Sequence, residues 1–489
     1  MTSRSILAVL VVAVFASVAA AQDARTTIAA ASKAMGADTL NTIEFSATGF
    51  DFAVGQAYSG ASPWPKFVDK TYTRQVDFRV PSSKVDRIRM QGENPPRGGG
   101  QQPVRGEQPQ NQTIVVNANT PWVQQLEIVM LPHGFLRAAG TRNATAKTQT
   151  VGGKRYTVVS FTGANNAAVN GYINDQNIVD RVETWIDNPV LGDTQFETIY
   201  SDYKDFGGVK FPMHIVQRQG GYPILDLTLG DVKPNAPVTI QAQGRAGGAP
   251  AGGAAAGGAQ AAAATPSEKL ADGVYLILGG YASVAVDFKD YIVVIEGATN
   301  DDRANAVIAE AKRLIPNKPI RYLVNTHQHF DHSGGLRAFV AEGATIVTHE
   351  AHKAYYEKVW AAPHTLNPDR LAKAPKKPTF ETVSEKKVLT DGNHVVELHH
   401  LQGSGHNAGL LVAYLPKEKI LIEADAFNPP ADKNAPVARP ASPYTMNLVD
   451  TMKRLKLEVN RIIPIHYPAD NRVVDIAELN RATSDAGTN

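Results

Sequence analysis

Asn325-Thr326-His327-Gln328-His329-Phe330-Asp331-His332-Ser333-Gly334-Gly335 places three histidines and one aspartate within six residues. The apolar run just before it, residues 320–324 (IRYLV), reads as a buried strand. Gly334-Gly335 lets the chain turn sharply and start a helix. A short loop at a strand end therefore aims four ligand-type side chains into one volume. Neutral imidazole suits zinc, and carboxylate oxygen is the other common donor to a borderline metal. A histidine-rich surface loop is the plain alternative, but H-x-H-x-D-H directly after a strand is too specific a pattern for it.

One loop does not complete two metal spheres, so further ligands belong at other strand ends. His406 lies in Gly403-Ser404-Gly405-His406-Asn407, ahead of a strand at residues 410–414. Asp425 closes the apolar run ILIEA at residues 420–424, and His466 closes IIPI at residues 462–465. Each alone is a weak signal, since a single histidine at a strand end is more often structural than ligating. Together with the first loop they form one set.

These residues resemble the metallo-β-lactamase fold superfamily, over roughly residues 270–474. The resemblance implies an αββα sandwich with a metal site at one edge of its two sheets. It also implies a division of ligands: His327, His329 and His406 on one metal, Asp331, His332 and His466 on the other, and Asp425 between them. Two divalent ions roughly 3.5–4 Å apart can share a water and bring its pKa toward neutrality. The hydroxide so formed would attack an ester, thioester, lactam or related bond, with Asp331 as the catalytic residue that orients it. Zinc is the expected metal, with iron or manganese also compatible with His/Asp donors. Asp425 is similar to the glyoxalase II pattern. Class B1 β-lactamases would offer a cysteine ligand, and this chain has no cysteine. B3-type β-lactamases do not use a bridging aspartate. Glu296, after a strand at residues 291–295, stands where relatives usually have Asp; it is the candidate for orienting an imidazole, with a solvated strand-end glutamate as the alternative. A di-iron redox protein on the same fold is a weaker reading, because no flavin domain is visible.

Other polar residues near these strand ends have plainer readings. His349 is expected to cap or support a helix, with a substrate contact as the lesser alternative. His352 is expected on an exposed helix face. Of His399 and His400, one is expected in the core and one facing solvent. Tyr467, next to His466, is a weak candidate donor to an oxyanion. Lys433 and Arg439 lie in a Pro-rich loop after Asp425 that can close over the site.

At 489 residues the chain is too long for one ordinary domain, and 43% apolar content is enough for real cores. A formal net charge of +2 favours neither nucleic acid nor an anionic membrane as main partner. The absence of cysteine excludes disulfides and thiolate ligands. Residues 1–21 read as a signal peptide: Arg4 gives a positive start, residues 6–15 a short apolar core, and Ala19-Ala20-Ala21 a small-residue cleavage site. The expected location is the periplasm or the extracellular medium, with no integral membrane segment after removal of the signal.

The fold class expected is α+β: an N-terminal antiparallel β-rich domain at residues 22–243, and the αββα sandwich at residues 267–482. A Gly/Ala-rich stretch at residues 244–266 reads as a flexible linker and residues 483–489 as a disordered tail. The N-terminal domain opens on a helix at residues 23–36, with Asp23 as cap. Strands then follow at residues 43–47, 113–116, 156–161, 179–186, 195–203 and 209–217. Residues 93–112 (ENPPRGGGQQPVRGEQPQNQ) are Pro-, Gly- and Gln-rich and are expected to be a disordered loop. The stretch TIYSDYKDFGGVKFP at residues 198–212 weakly resembles periplasmic lipoprotein-carrier-like half-barrels, which implies a hydrophobic ligand on a concave face. The function expected is an exported dinuclear metal-dependent hydrolase acting on a small molecule. The alternative is a periplasmic lipid-binding protein whose metal domain is secondary.

Overall fold

The computed structural model describes residues 24–93, 95–100, 103, 105–241, 265–437 and 439–484. The expected signal peptide, the Asp23 cap, nearly all of the expected linker and most of the expected tail lie outside these residues.

The N-terminal part is one sheet with three helices against it. A helix at residues 24–35 (α1) leads into β1 (Thr42–Phe52), β2 (Lys66–Asp77), β3 (Ser82–Gln91) and β4 (Gln108–Val115). Two helices follow, α2 (Trp122–Val129) and α3 (Pro132–Gly140). The chain then runs through β5 (Thr145–Val151), β6 (Lys154–Thr162), β7 (Ala168–Ile173), β8 (Val179–Asn188) and β9 (Gly192–Ser201). The small hairpin β10 (Lys204–Asp205) and β11 (Lys210–Phe211) precedes β12 (His214–Gln219) and β13 (Tyr222–Pro234). Eleven strands pair antiparallel in the order β4-β3-β2-β1-β13-β12-β9-β8-β7-β6-β5. Buried and half-buried residues alternate along the whole of β9, which shows why this is a one-faced sheet. Its buried face carries Phe45, Tyr72 and Val182, packed with Phe211 of the small hairpin, Met35 of α1, Leu126 of α2 and Phe135 of α3. The helices α2 and α3 had no place in the sequence reading; they are short, and Pro132 at the first turn of α3 is their clearest local signal.

The C-terminal part begins with β14 (Ser267–Ala271), β15 (Val274–Ile277), β16 (Ser283–Asp287) and β17 (Ile292–Ile295). Helix α4 (Asp301–Leu314) carries its Asn300 cap on the Arg303 N–H. Next come β18 (Ile320–Val324), the turn of helix α5 (Phe330–Ser333), α6 (Leu336–Glu342), β19 (Thr345–His349), α7 (Glu350–Val359), α8 (Arg370–Lys373) and β20 (Phe380–Val383). The second sheet takes β21 (Lys386–Thr390), β22 (Val395–His400), β23 (Leu411–Leu415), β24 (Ile420–Glu423), β25 (Arg461–Pro464) and β26 (Val474–Asp475), with α9 (Pro443–Leu455) and α10 (Ile476–Thr483). One sheet runs β14 to β20 in order and the other β21 to β26. Val286, Val293, Val324, Leu398, Ile422 and Ile463 meet between the two sheets. The outer face of the first sheet is covered by α4, α6 and α7, and that of the second by α9 and α10. This is the expected αββα sandwich. The parallel pairs β17–β18, β18–β19 and β24–β25 bring the C-terminal ends of strands from both sheets to one edge.

The two parts touch. Hairpin ends β1–β2, β3–β4, β8–β9 and β12–β13 lie at one end of the N-terminal sheet, as the register Phe67↔Gln91 and Gln219↔Phe196 requires. Trp64 and Val190 from those ends join the core around α4 and α6. Asp193 accepts from the backbone N–H groups of Thr365 and Leu366 at 2.8 and 3.1 Å. The expectation of disorder over residues 93–112 is corrected for the described residues 95–100 and 105–112; residues 94, 101, 102 and 104 lie outside them. Residues 108–112 extend β4 against β3, and Gly98 N donates to the Gly405 carbonyl at 2.9 Å. The low-complexity composition lacks side chains to build a core, but its backbone finds partners in the second domain. Among the described residues no helix is long and apolar enough to cross a membrane.

Candidate metal centre

Every residue of the expected ligand set sits just past, or in a loop beside, a strand end at the shared edge. His327 and His329 follow β18, and Asp331 and His332 fall in α5. His406 lies between β22 and β23, Asp425 follows β24, and His466 follows β25. Asn325 ties the first loop together. Its amide nitrogen donates to the carbonyls of His327 and His332 at 2.8 and 3.1 Å, and its oxygen accepts from Tyr356 at 2.6 Å. Gly334 and Gly335 serve close approach rather than a sharp turn. A Cβ there would stand 1.9 Å from the Thr299 carbonyl oxygen and 2.1 Å from that of Gly297.

Among the described residues, two groups place ligand atoms within 4.8 Å of one another: His327, His329, His406 and Asp425, and Asp331, His332 and His466. His327 Nε2 and His406 Nε2 are 3.1 Å apart, and His332 Nε2 and His466 Nε2 3.2 Å. Asp425 stands between the groups. Its Oδ2 is 3.4 Å from both His327 Nε2 and His406 Nε2 and 2.8 Å from His332 Nε2, while Oδ1 is 2.9 Å from His466 Nε2. The donors fit a metal. Tetrahedral bonds of about 2.0–2.1 Å separate nitrogen donors by roughly 3.3 Å, which is the spacing seen here. His329 Nδ1 is buried without a hydrogen-bond partner, as a group waiting for a cation would be.

The electrostatics agree. His327, His329, His332 and His406 are fully buried. Burial, reinforced by the neighbouring imidazoles, holds His327 well below the ordinary histidine pKa, and burial brings His329 to about 3. Both are thus neutral donors. Burial works against His332 too, but the carboxylates of Asp331, Asp425 and Glu296 hold it well above the ordinary value. Burial would raise the Asp425 carboxyl; His466, His332 and His406 instead hold it well below the usual range. Glu296 is fully buried, with Oε2 3.3 Å from His332 Nδ1 and 2.6 Å from Thr326 Oγ1, so it is not a solvated strand-end residue.

Residues 277–466 match the family model of the metallo-beta-lactamase superfamily. This stretch is a metallo-β-lactamase-fold domain. Solved structures similar to it include a metallo-beta-lactamase from Pontibacter korlensis, at 20% identity over 44% of this chain and 96% of that one, with a TM-score of 0.34. The metallo-beta-lactamase DIM-1 matches at 16% identity over 45% and 94%, TM-score 0.34. The metallo-beta-lactamase FIM-1 from Pseudomonas aeruginosa, in a mono-zinc form, matches at 16% over 45% and 93%, TM-score 0.34. No curated protein matches the chain. The match of residues 277–466 to this superfamily supports metal binding and metal-dependent hydrolysis as the general class of activity.

Around the ligand cluster some residues sit where expected and others do not. His352 is fully buried, with Nε2 3.1 Å from the Gly409 carbonyl, and is not on an exposed face. His349 caps α7 by accepting from the Ala351 N–H. His399 is buried against Glu397, and His400 is half-buried against the Ala408 carbonyl, so neither faces solvent freely. The Tyr467 ring lies in the sandwich core and its hydroxyl accepts from Arg461, at the far end of β25 from the ligands, at 3.4 Å. Arg439 donates to the carbonyls of Ala482 and Arg481 at the end of α10. Two tyrosines that the sequence did not single out flank the centre instead. Tyr281 donates to Asp331 Oδ2 at 3.2 Å and sets its ring edge on His466 at 4.6 Å; the Tyr444 ring meets His406 at 5.3 Å. Tyr281 belongs to the Gly-rich turn between β15 and β16, where no local pattern points to a site.

Proposed function

We propose that this chain is an exported, dinuclear metal-dependent hydrolase that acts on a small molecule bearing an ester, thioester, lactam or related bond. The observation that carries the reading is Asp425, whose two carboxylate oxygens face imidazoles of both ligand groups at 2.8–3.4 Å. His327, His329 and His406 would hold one ion, Asp331, His332 and His466 the other, and Asp425 would bridge them. Bound there, divalent ions supply Lewis acidity and lower the pKa of a coordinated water. Zinc suits the five imidazoles best.

The chain's own groups do the rest. Asp331 is the least buried of the set, its side chain 23% exposed, so its carboxylate is placed to orient an incoming water and accept its proton. Burial, with the Asp331 charge, holds the Tyr281 phenol well above its ordinary pKa, so it stays a donor at neutral pH and steadies that carboxylate. The buried side of the cluster excludes water from His327, His329 and His406. The hydrophobic-ligand alternative would need α1, α2 and α3 to yield the sheet face they occupy.

Elemental mass spectrometry of the mature protein, paired with His327→Ala and Asp425→Ala, tests the proposal. The expected result is two zinc per chain, and loss of ester, thioester or lactam hydrolysis in both variants with the fold intact. Absence of metal after supplementation, or full activity in both variants, would overturn it.

A further inference from the structure

We propose that the N-terminal domain forms part of the metal centre, with Gln56 as a positioning residue for Asp331 and the Ala57 carbonyl as the group that sets His329. The inference rests on the metal-hydrolase reading above. It assigns to a loop outside the family match a function that the ligand set alone does not contain.

The loop between β1 and β2, residues 53–65, crosses onto the H-x-H-x-D-H loop. Gln56 Nε2 donates to Asp331 Oδ1 at 2.8 Å. With Oδ1 so engaged, Oδ2 is the oxygen left facing the second ligand group, 3.5 Å from His332 Nε2 and 3.7 Å from His466 Nε2. The Ala57 carbonyl lies 2.9 Å from His329 Nε2. A carbonyl only accepts, so His329 carries its hydrogen on Nε2 and presents a bare Nδ1 lone pair. That Nδ1 is the buried atom without a partner, in a ring packed 4.4 Å from His327 and 4.5 Å from His406. The same Ala57 carbonyl accepts from Gln328 Nε2 at 2.8 Å. One backbone oxygen thus holds two successive side chains of the loop.

Gln56 is not a loose surface residue that happens to reach Asp331. Its N–H donates to the Ala53 carbonyl at 3.1 Å and its carbonyl accepts from Gly99 N at 2.9 Å. On one side of it Phe330 N donates to the Gly55 carbonyl at 3.2 Å; on the other Ala408 N donates to the Tyr58 carbonyl at 2.8 Å. The β3–β4 loop closes the far side, where Tyr444 donates to the Gly98 carbonyl at 3.0 Å. The backbone on both sides of Gln56 is therefore pinned to the metal-site loops, so its amide meets Asp331 already oriented. Groups that fix a ligand in this way are worth about 10–100-fold in metal affinity.

Gln56→Met keeps the length of the side chain and removes the donor. Zinc titration of full-length mature protein against a chromophoric chelator gives the affinities of both ions, and the visible bands of cobalt-substituted protein report the coordination of each. The expected result is a loss of about tenfold or more for the weaker ion, an altered cobalt spectrum at that ion, and an unchanged first affinity. The melting temperature of the metal-free variant is expected to match wild type. Equal affinities and spectra in variant and wild type would overturn the proposal. A fall in melting temperature with both affinities falling in parallel would also overturn it, since Gln56 would then only dock the domains. Wild type that fails to take up two ions would sink this inference together with the function above, whereas two ions in wild type with no change in Gln56→Met would sink this inference alone.

Discussion

Glu296 Oε2 accepts from His332 Nδ1 across 3.3 Å, in a pair wholly removed from solvent. Glu296 adopts a left-handed backbone conformation, φ 76°, and its other oxygen accepts from the Gly297 N–H at 3.1 Å. The carboxylate therefore holds the Nδ1 hydrogen in place and leaves His332 Nε2 facing Asp425. Glu296→Gln keeps the shape and removes the charge. It is expected to weaken the ion held by His332 by about 10–100-fold, measured by chelator competition. Wild-type affinity in that variant would mean that the buried carboxylate does not tune the site.

Metal removal is expected to lower stability. An ion that binds only the folded chain stabilises it by about 4 kcal/mol at a concentration a thousand times its Kd. Dialysis against a chelator should lower the melting temperature, and added zinc should restore it. A melting curve indifferent to both treatments would argue against metal binding to the native state.

Gly55 has φ +77°, and a Cβ there would meet the Phe330 ring at 2.3 Å. Gly55→Ala must strain the backbone and push against a ring that Trp64 also contacts, at 6.3 Å edge to face. The expected cost is roughly 2 kcal/mol or more, with weaker zinc binding because the 53–65 loop moves off its partners. Thermal melting and zinc competition on the same sample check both parts.

His133 provides a pH test inside the N-terminal domain. It is fully buried, its Nε2 lies 3.0 Å from the Met35 carbonyl, and burial lowers its pKa to about 4. The unfolded chain takes up that proton near 6.5. Between these values the unfolded state holds more protons, so stability rises with pH, is complete above 6.5 and is lost as pH falls toward 4. The effect is on the order of 3 kcal/mol. His133→Gln should flatten the pH dependence of the melting temperature over this window; an identical slope in variant and wild type would count against the assignment.

Asp193 joins the domains at a second place, accepting from Thr365 and Leu366. Asp193→Ala leaves those N–H groups to water and is expected to cost about 1–2 kcal/mol. Faster proteolytic cleavage near residue 365 would report it, and an unchanged digestion pattern would show that the contact carries no load.

By itself the sequence determined the αββα sandwich and the position of each ligand-type residue in the chain. Both are written in contiguous residues. The apolar run IRYLV marks a buried strand, and the histidines and aspartates fall where such runs stop, as a site at a sheet edge demands. The antiparallel β-rich character of the N-terminal part was legible for the same reason. Only the tertiary structure decided which groups surround the ligands. Gln56 and Asp331 are 275 positions apart, and Tyr281 and Asp331 are 50 apart. Neither pairing leaves a periodic trace, because a hydrogen bond between distant segments depends on how sheets and loops dock rather than on local propensity. The loop at residues 95–100 shows the same limit. Its composition speaks for disorder, yet Gly99 finds a carbonyl partner at Gln56 in its own domain and Gly98 one at Gly405 across the domain contact, and satisfied backbone groups replace the core it cannot build.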